Sequence, residues 1–246
     1  MTPDMIQTIL SFEQFQFKRR LFEYARDNLI ILADDFCRKL GNEKYKSVFE
    51  MVGLFESFFC RTFSFGLASC PEWECFTLCG TIINSSGSCL GLTTLHIALG
   101  MAVGFPMRSA LFEGHIVPVY MDGEIPIFIE TTRRSNAMYE HSIQLLHGKP
   151  IKILSDYEFL AVQLSNRATQ IYARVGLLDD AVFLLDSALE LFPCYTAGWI
   201  NRATIMKKLD DTKEMRRSLD IAKSLNPGIR YTRAIEQIEN DKLTNN

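Results

Sequence analysis

Ser85-Ser86-Gly87-Ser88-Cys89-Leu90-Gly91-Leu92-Thr93-Thr94-Leu95 is the stretch that decides how the rest of the chain reads. Small turn formers lead into a cysteine, and an apolar run follows it. Leu92, Leu95, Ala98, Leu99 and Ala102 recur at three or four residues. That spacing predicts a helix from about Leu90 to Val103 with those residues facing inward. Gly104 ends it, and Pro106 prevents its return. Cys89 therefore stands at a helix start, where free backbone N–H groups and the helix dipole favour negative charge. A thiolate is favoured there, and the thiolate is the nucleophilic form of cysteine. The same N–H groups offer an oxyanion hole. Gly87 allows a substrate backbone to come close. Asn84 either adds a donor to that hole or simply forms a turn, the role its residue type prefers.

A thiol nucleophile needs a base, and there are four histidines. His115 follows Gly114 and opens a predicted strand, His115 to Tyr120, at the rim of a sheet. A second strand, Ile125 to Ile129, follows, and Asp122-Gly123 between them is a type I′ hairpin signal. A third strand precedes them at Met107 to Leu111, and a further one is expected within Lys149 to Leu154, after a helix around Tyr139 to Leu146. The hairpin brings the start of the first strand to the end of the second. His115 and Glu130 then share one end, where the carboxylate can orient the imidazole. A slip of one residue would turn one of them away. Pro118 removes a ladder donor, so its strand is expected to be an edge or to bulge. His96 lies seven residues after Cys89 on the same helix, about two turns away and out of reach. His141 and His147 fall in a polar helical stretch and are expected to be solvated.

Upstream, the N-terminal part reads as helical. Leu21, Ala25, Leu29, Leu32, Phe36 and Leu40 mark one helix face, closed by the basic turn Arg38-Lys39 and by Gly41. Asn42 can cap a second helix carrying Val48, Met51, Val52, Phe55, Phe58 and Phe59, an apolar stripe suited to a core. From Gly66 to Ser88 the pattern breaks, and Pro71, Gly80, Asn84 and the serines predict a loop over the surface. Cys70, Cys75 and Cys79 lie there at gaps that suit buried thiols better than a zinc site, so no metal and no cofactor is expected.

Downstream, the chain turns all-helical and repeats. Asn166-Arg167-Ala168-Thr169 recurs as Asn201-Arg202-Ala203-Thr204 at an offset of 35, while Ala188 and Pro193 recur as Ala222 and Pro227 at 34. One residue is thus missing from the second unit. The period is that of tetratricopeptide repeats. Tyr172, Gly176, Ala181, Leu185, Ala188 and Pro193 occupy positions that repeat prefers. The second unit keeps Trp199, Ala222 and Pro227 but lacks the inter-helix glycine. A last helix with Tyr231, Ala234, Ile235 and Ile238 closes the array.

Gly87-x-Cys89-Leu90-Gly91-Leu92, Gly104-Phe105-Pro106, Gly114-His115 and Ile129-Glu130-Thr131-Thr132, in that order, resemble the transglutaminase-like core, in the bacterial branch where tetratricopeptide-like repeats follow it. The resemblance spans about residues 45 to 227. It implies Cys89 as nucleophile, His115 as base and Glu130 as third member, in a papain-like arrangement with the cysteine helix packed on an antiparallel sheet. The expected fold is α+β: N-terminal helices over residues 1–65, the core over 66–155 and the repeats over 156–246. The expected chemistry is thiol-dependent amide or acyl chemistry through an acyl-enzyme on a protein or peptide substrate. Hydrolysis, as in a peptidase or deamidase, and transfer to an amine stay equally open. The alternative is an inert scaffold that binds a protein partner through its repeats.

Charge and hydropathy narrow the partners. A net charge of -3 supports no nucleic-acid partner. No apolar run is long enough for a membrane span, and the first thirty residues carry charges where a secretory signal would be apolar. With an odd number of cysteines and no such signal, free thiols and a cytoplasmic location are expected.

Overall fold

Ala25, Leu32 and Phe36 stand on one stripe of an amphipathic helix, and in the computed structural model of the protein that stripe is buried. The structure describes residues 3–41, 50, 52–53, 57, 66–67, 73–132, 136–139 and 152–240. The fold is mixed α+β, in two compact units, Met1–Asp156 and Tyr157–Asn246. Most of the expected second helix, and with it Met51, Phe55, Phe58 and Phe59, lies outside the described residues, although Val52 is buried. So do Cys60, Cys70, His141 and His147.

In the first unit, α1 (Pro3–Glu13) and α2 (Arg19–Gly41) precede a short strand β1 (Gly66–Leu67). The surface loop expected from Gly66 to Ser88 is in part a buried helix. After a 3₁₀ turn, Trp73–Phe76, comes α3 (Leu78–Asn84), with Leu78, Cys79, Gly80, Thr81 and Ile82 all buried. Two caps make this short helix stable. The Thr77 hydroxyl accepts from Gly80 N, and the buried Glu13 carboxylate accepts from Leu78 N and Cys79 N at 2.9 and 2.7 Å. These are the orphan donors of a first helical turn. Gly80, read from sequence as a turn former, is instead a contact: a Cβ there would meet Glu74 O at 2.1 Å. The turn comes at Ser85, left-handed with φ 49. Cys75 and Cys79 are both buried.

Strand β2 (Ser86–Gly87) pairs in parallel with β1 and leads into α4 (Cys89–Ala102). Every residue from Leu90 to Gly100 is buried. Helix α4 is thus enclosed on all sides rather than amphipathic, and Ala102, expected inward, is exposed at its end. Gly104, with φ 79, terminates it.

The sheet is antiparallel with strand order β6-β5-β4-β3-β7, formed by β3 (Met107–Phe112), β4 (His115–Asp122), β5 (Ile125–Glu130), β6 (Asn136–Tyr139) and β7 (Lys152–Leu154). Tyr139, expected to open a helix, ends β6. Ala110, Phe112, Val117, Val119 and Phe128 form one core cluster. Helix α4 packs against β3 and β4, and Thr93 Oγ1 donates to Ile116 O at 3.2 Å. Phe36 and Tyr120 both meet Phe105 edge-on, joining α2 to the sheet.

Two details differ from the sequence reading. Strand β4, which holds Pro118, is central rather than an edge. Pro118 pairs with Ser109 on β3, and the pairing of β4 with β5 runs from Asp122 only as far as Val119. It stops beside the residue with no N–H to give. The hairpin loop is Gly123-Glu124 rather than Asp122-Gly123, because Asp122 pairs with Ile125. Glycine then takes the first loop position with φ 60, the place it holds in a type II′ turn.

In the second unit, α5 (Asp156–Arg167) runs into a π-helical turn, Ala168–Tyr172, followed by α6 (Leu178–Leu191), α7 (Thr196–Lys208), α8 (Thr212–Ser224) and α9 (Ile229–Asn240). Gly176 and Asp210 both take left-handed backbone, φ 82 and φ 57, ahead of α6 and α8. The second thus does with an aspartate what the first does with a glycine. Upstream of them the offset between matching residues is one greater, and the π turn lies in that interval. Its wide bond, Ala173 N to Ala168 O, takes up an extra residue that the α-helical stretch 203–207 lacks. Arg202 ties three helices together: its guanidinium meets Asp186 at 2.7 Å, Glu214 at 3.1 Å and Ser218 Oγ at 2.9 Å. No helix among the described residues is long and apolar enough to cross a membrane.

Candidate active site

The start of α4 is built by close packing. Ser88 is its N-cap, and its hydroxyl accepts from Gly91 N at 3.3 Å. Ser88 N donates to Cys75 O at 2.8 Å, so the 3₁₀ turn holds the entry strand. A Cβ at Gly87 would lie 2.6 Å from Thr81 Oγ1, and one at Gly91 would lie 2.3 Å from that oxygen and 2.4 Å from Cys75 O. Both glycines therefore admit the protein's own Thr81. This corrects the expectation that Gly87 admits a substrate backbone. Asn84 is exposed at the end of α3 and belongs to the turn. Cys89 follows directly, half-buried, as the first residue of α4.

His115 opens β4 beside this helix start. Its Nε2 lies 3.2 Å from Glu130 Oε2, and its ring also hydrogen-bonds the Cys89 side chain. The structure thus brings Cys89, His115 and Glu130 together in that order. Continuing the β4–β5 register places Glu130 across from Val117, one alternation in from His115 on the same face. His96 is buried on α4, its Nδ1 2.9 Å from Leu92 O, away from this group.

Glu130 is fully buried. Burial alone would raise its pKa. The hydrogen bond from His115, then those from the hydroxyl and main-chain N–H of Thr132, and the imidazolium charge hold it instead at about 2. For His115, burial pulls the pKa down. Hydrogen bonds and charge from Cys89 and Glu130 overcome this and raise it to about 9. Near neutral pH the carboxylate is ionised and the imidazole protonated. Thr132 donates to Glu130 Oε1 through its N–H at 2.7 Å and also through its hydroxyl. Neither Thr132 nor Ser88 stands out from sequence as part of this group. The only signal for Ser88 is a serine before a helix start. Among the described residues no cluster of three or more His, Cys, Asp or Glu is placed to hold a metal.

No family model matches the chain. No curated protein matches it either. Among solved structures it is similar to menin, in a crystal structure that reveals the binding site for Mixed Lineage Leukemia (MLL) protein, with a TM-score of 0.52 and 12% identity. The match covers 91% of this chain but spans only 66% of the menin chain. At that identity the likeness is one of fold. These findings overturn the resemblance to the transglutaminase-like family. It rested on short motifs of glycine, cysteine, histidine and a carboxylate, which recur wherever a thiol site is needed. Neither a family model nor a curated sequence supports it, and the fold likeness found is to menin.

Proposed function

We propose that the protein carries out thiol-dependent chemistry on an amide or acyl group, with Cys89 as nucleophile, His115 as proton carrier and Glu130 as the group that orients it. One observation carries this reading: His115 stands between the Cys89 side chain and a buried carboxylate, with Nε2 3.2 Å from Glu130 Oε2. In the reaction, Cys89 Sγ attacks the carbonyl carbon, and the protonated His115 gives its proton to the departing amine. A thioester on Cys89 remains. Water or a second amine then attacks, His115 takes its proton, and the thiolate leaves with an acid or a new amide released. N–H groups of the first turn of α4 suit the oxyanion. The arrangement is papain-like, and the second unit reads as tetratricopeptide-like repeats, with a protein or peptide as substrate. A cytoplasmic setting is part of this reading.

A second reading is favoured by the fold likeness to a menin structure solved for its binding of another protein. Here the chain is an inert scaffold for a protein partner. Limiting iodoacetamide at neutral pH, followed by peptide mapping, separates the two. Cys37 and Cys194 are exposed, whereas Cys89 is half-buried. Labelling of Cys89 first is expected for an enzyme, since accessibility favours the other two and only thiolate character favours Cys89. Prior labelling of Cys37 or Cys194 would support the scaffold.

A further inference from the structure

We infer that Thr132 is a positioning residue of this site: its N–H and its hydroxyl both donate to Glu130 Oε1, leaving Oε2 to meet His115 Nε2. The inference rests on the Cys89–His115–Glu130 reading.

A glutamate side chain has three torsions, and a carboxylate that rotates would present either oxygen, or neither, to the ring. Glu130 is the last residue of β5 and fully buried, so water does not hold its second oxygen. An unsatisfied carboxylate oxygen there would cost more than an ordinary lost hydrogen bond. Thr132 supplies both donors from two residues downstream, one fixed by the backbone and one by its side chain. Among the described residues, the groups set against Glu130 include His115 from β4 and Thr132 beyond β5. Those set against His115 include Glu130 and, from α4, Cys89. Both Thr132 donors favour the charged carboxylate, and the carboxylate favours the imidazolium. Thr132 thus acts on the thiol through two intermediate groups without touching it. A threonine that merely shaped the turn would change the melting temperature and leave both titrations in place.

The test uses the full chain with Thr132→Val, which keeps the shape and the N–H, and Thr132→Ser, which restores a hydroxyl. NMR follows the side-chain titrations of Glu130 and His115, and peptide mapping follows Cys89 alkylation. In Thr132→Val the Glu130 midpoint is expected to rise from about 2 by about one pH unit, roughly tenfold in proton affinity, with a smaller fall at His115. Thr132→Ser should titrate like the wild type. Thr132→Ala gives the same readout should valine not fit. Unchanged midpoints in a folded Thr132→Val protein with a reactive Cys89 would overturn the role of Thr132 alone. A shifted Glu130 beside a Cys89 no more reactive than Cys37 and Cys194 would mark a structural ion pair, overturning this inference and the proposed function together.

Discussion

At His115 the imidazole meets Cys89 and a carboxylate that lies out of reach of solvent, and its charge follows from those two contacts. The most direct consequence concerns Cys89 alkylation near pH 6. Glu130→Gln keeps an acceptor for the ring but loses the charge that stabilises imidazolium. His115→Ala removes the imidazolium itself. The expected order of rates is wild type, then Glu130→Gln, then His115→Ala, with about tenfold lost for each pH unit by which the charge pair is weakened. Equal rates in all three would mean that the constellation is uncoupled. Much of this site was legible in sequence because strand pairing has a period of two. The hairpin loop sits one residue later than its Asp-Gly signal suggests, which shifts each pair by two. An even shift preserves faces, so His115 and Glu130 still meet, diagonally rather than head-on. Thr132 was not legible. Its bonds are local and depend on side-chain torsions that no residue pattern records.

Among the elements, β3, β4, β5, β7 and α4 follow from residue pattern and from their glycine and proline stops, whereas β1, β2 and β6 do not. Helix α3 does not. It is short, rich in small and turn-forming residues, and stabilised by a carboxylate from α1. Propensity alone therefore reads it as loop, and tertiary contacts decide otherwise. The packing of α3 against α4 makes a sharp prediction. In Gly91→Ala the new methyl would stand 2.4 Å from Cys75 O, a backbone atom that cannot rotate away. We expect a loss of about 1–3 kcal/mol, seen as a fall of several degrees in the melting temperature followed by circular dichroism. An unchanged melting temperature would show that the 3₁₀ turn yields easily. The π turn was also beyond sequence reading. The offsets of 35 and 34 reveal that one residue differs between the helical units. Only backbone geometry shows it absorbed inside a helix rather than in a loop.

On the scale of the whole molecule, the paired titrations link stability to pH. His115 is raised from 6.5 to about 9, so its contribution is complete below 6.5 and is lost as pH rises through about 9. Glu130 is lowered from 4.5 to about 2, so its contribution is complete above 4.5 and is lost as pH falls through about 2. The stabilisation should therefore be greatest between about pH 4.5 and 6.5. The His115–Glu130 contact contributes to both shifts, and Cys89 adds to the one at His115. Denaturant unfolding across pH should show that Glu130→Gln flattens this plateau, and a profile identical to wild type would remove the linkage. The α+β class and the helical second half were readable from pattern, whereas the likeness to menin was not, since 12% identity leaves too few shared residues to recognise. The Glu13 contact has a consequence in time. Its carboxylate meets amides 65 and 66 positions further along the chain. Because a ribosome releases the chain from its first residue onward, Glu13 emerges well before its partners. Helix α3 then receives its cap only after that long span has closed, so the scaffold beneath Cys89 is completed by a segment made early and used late.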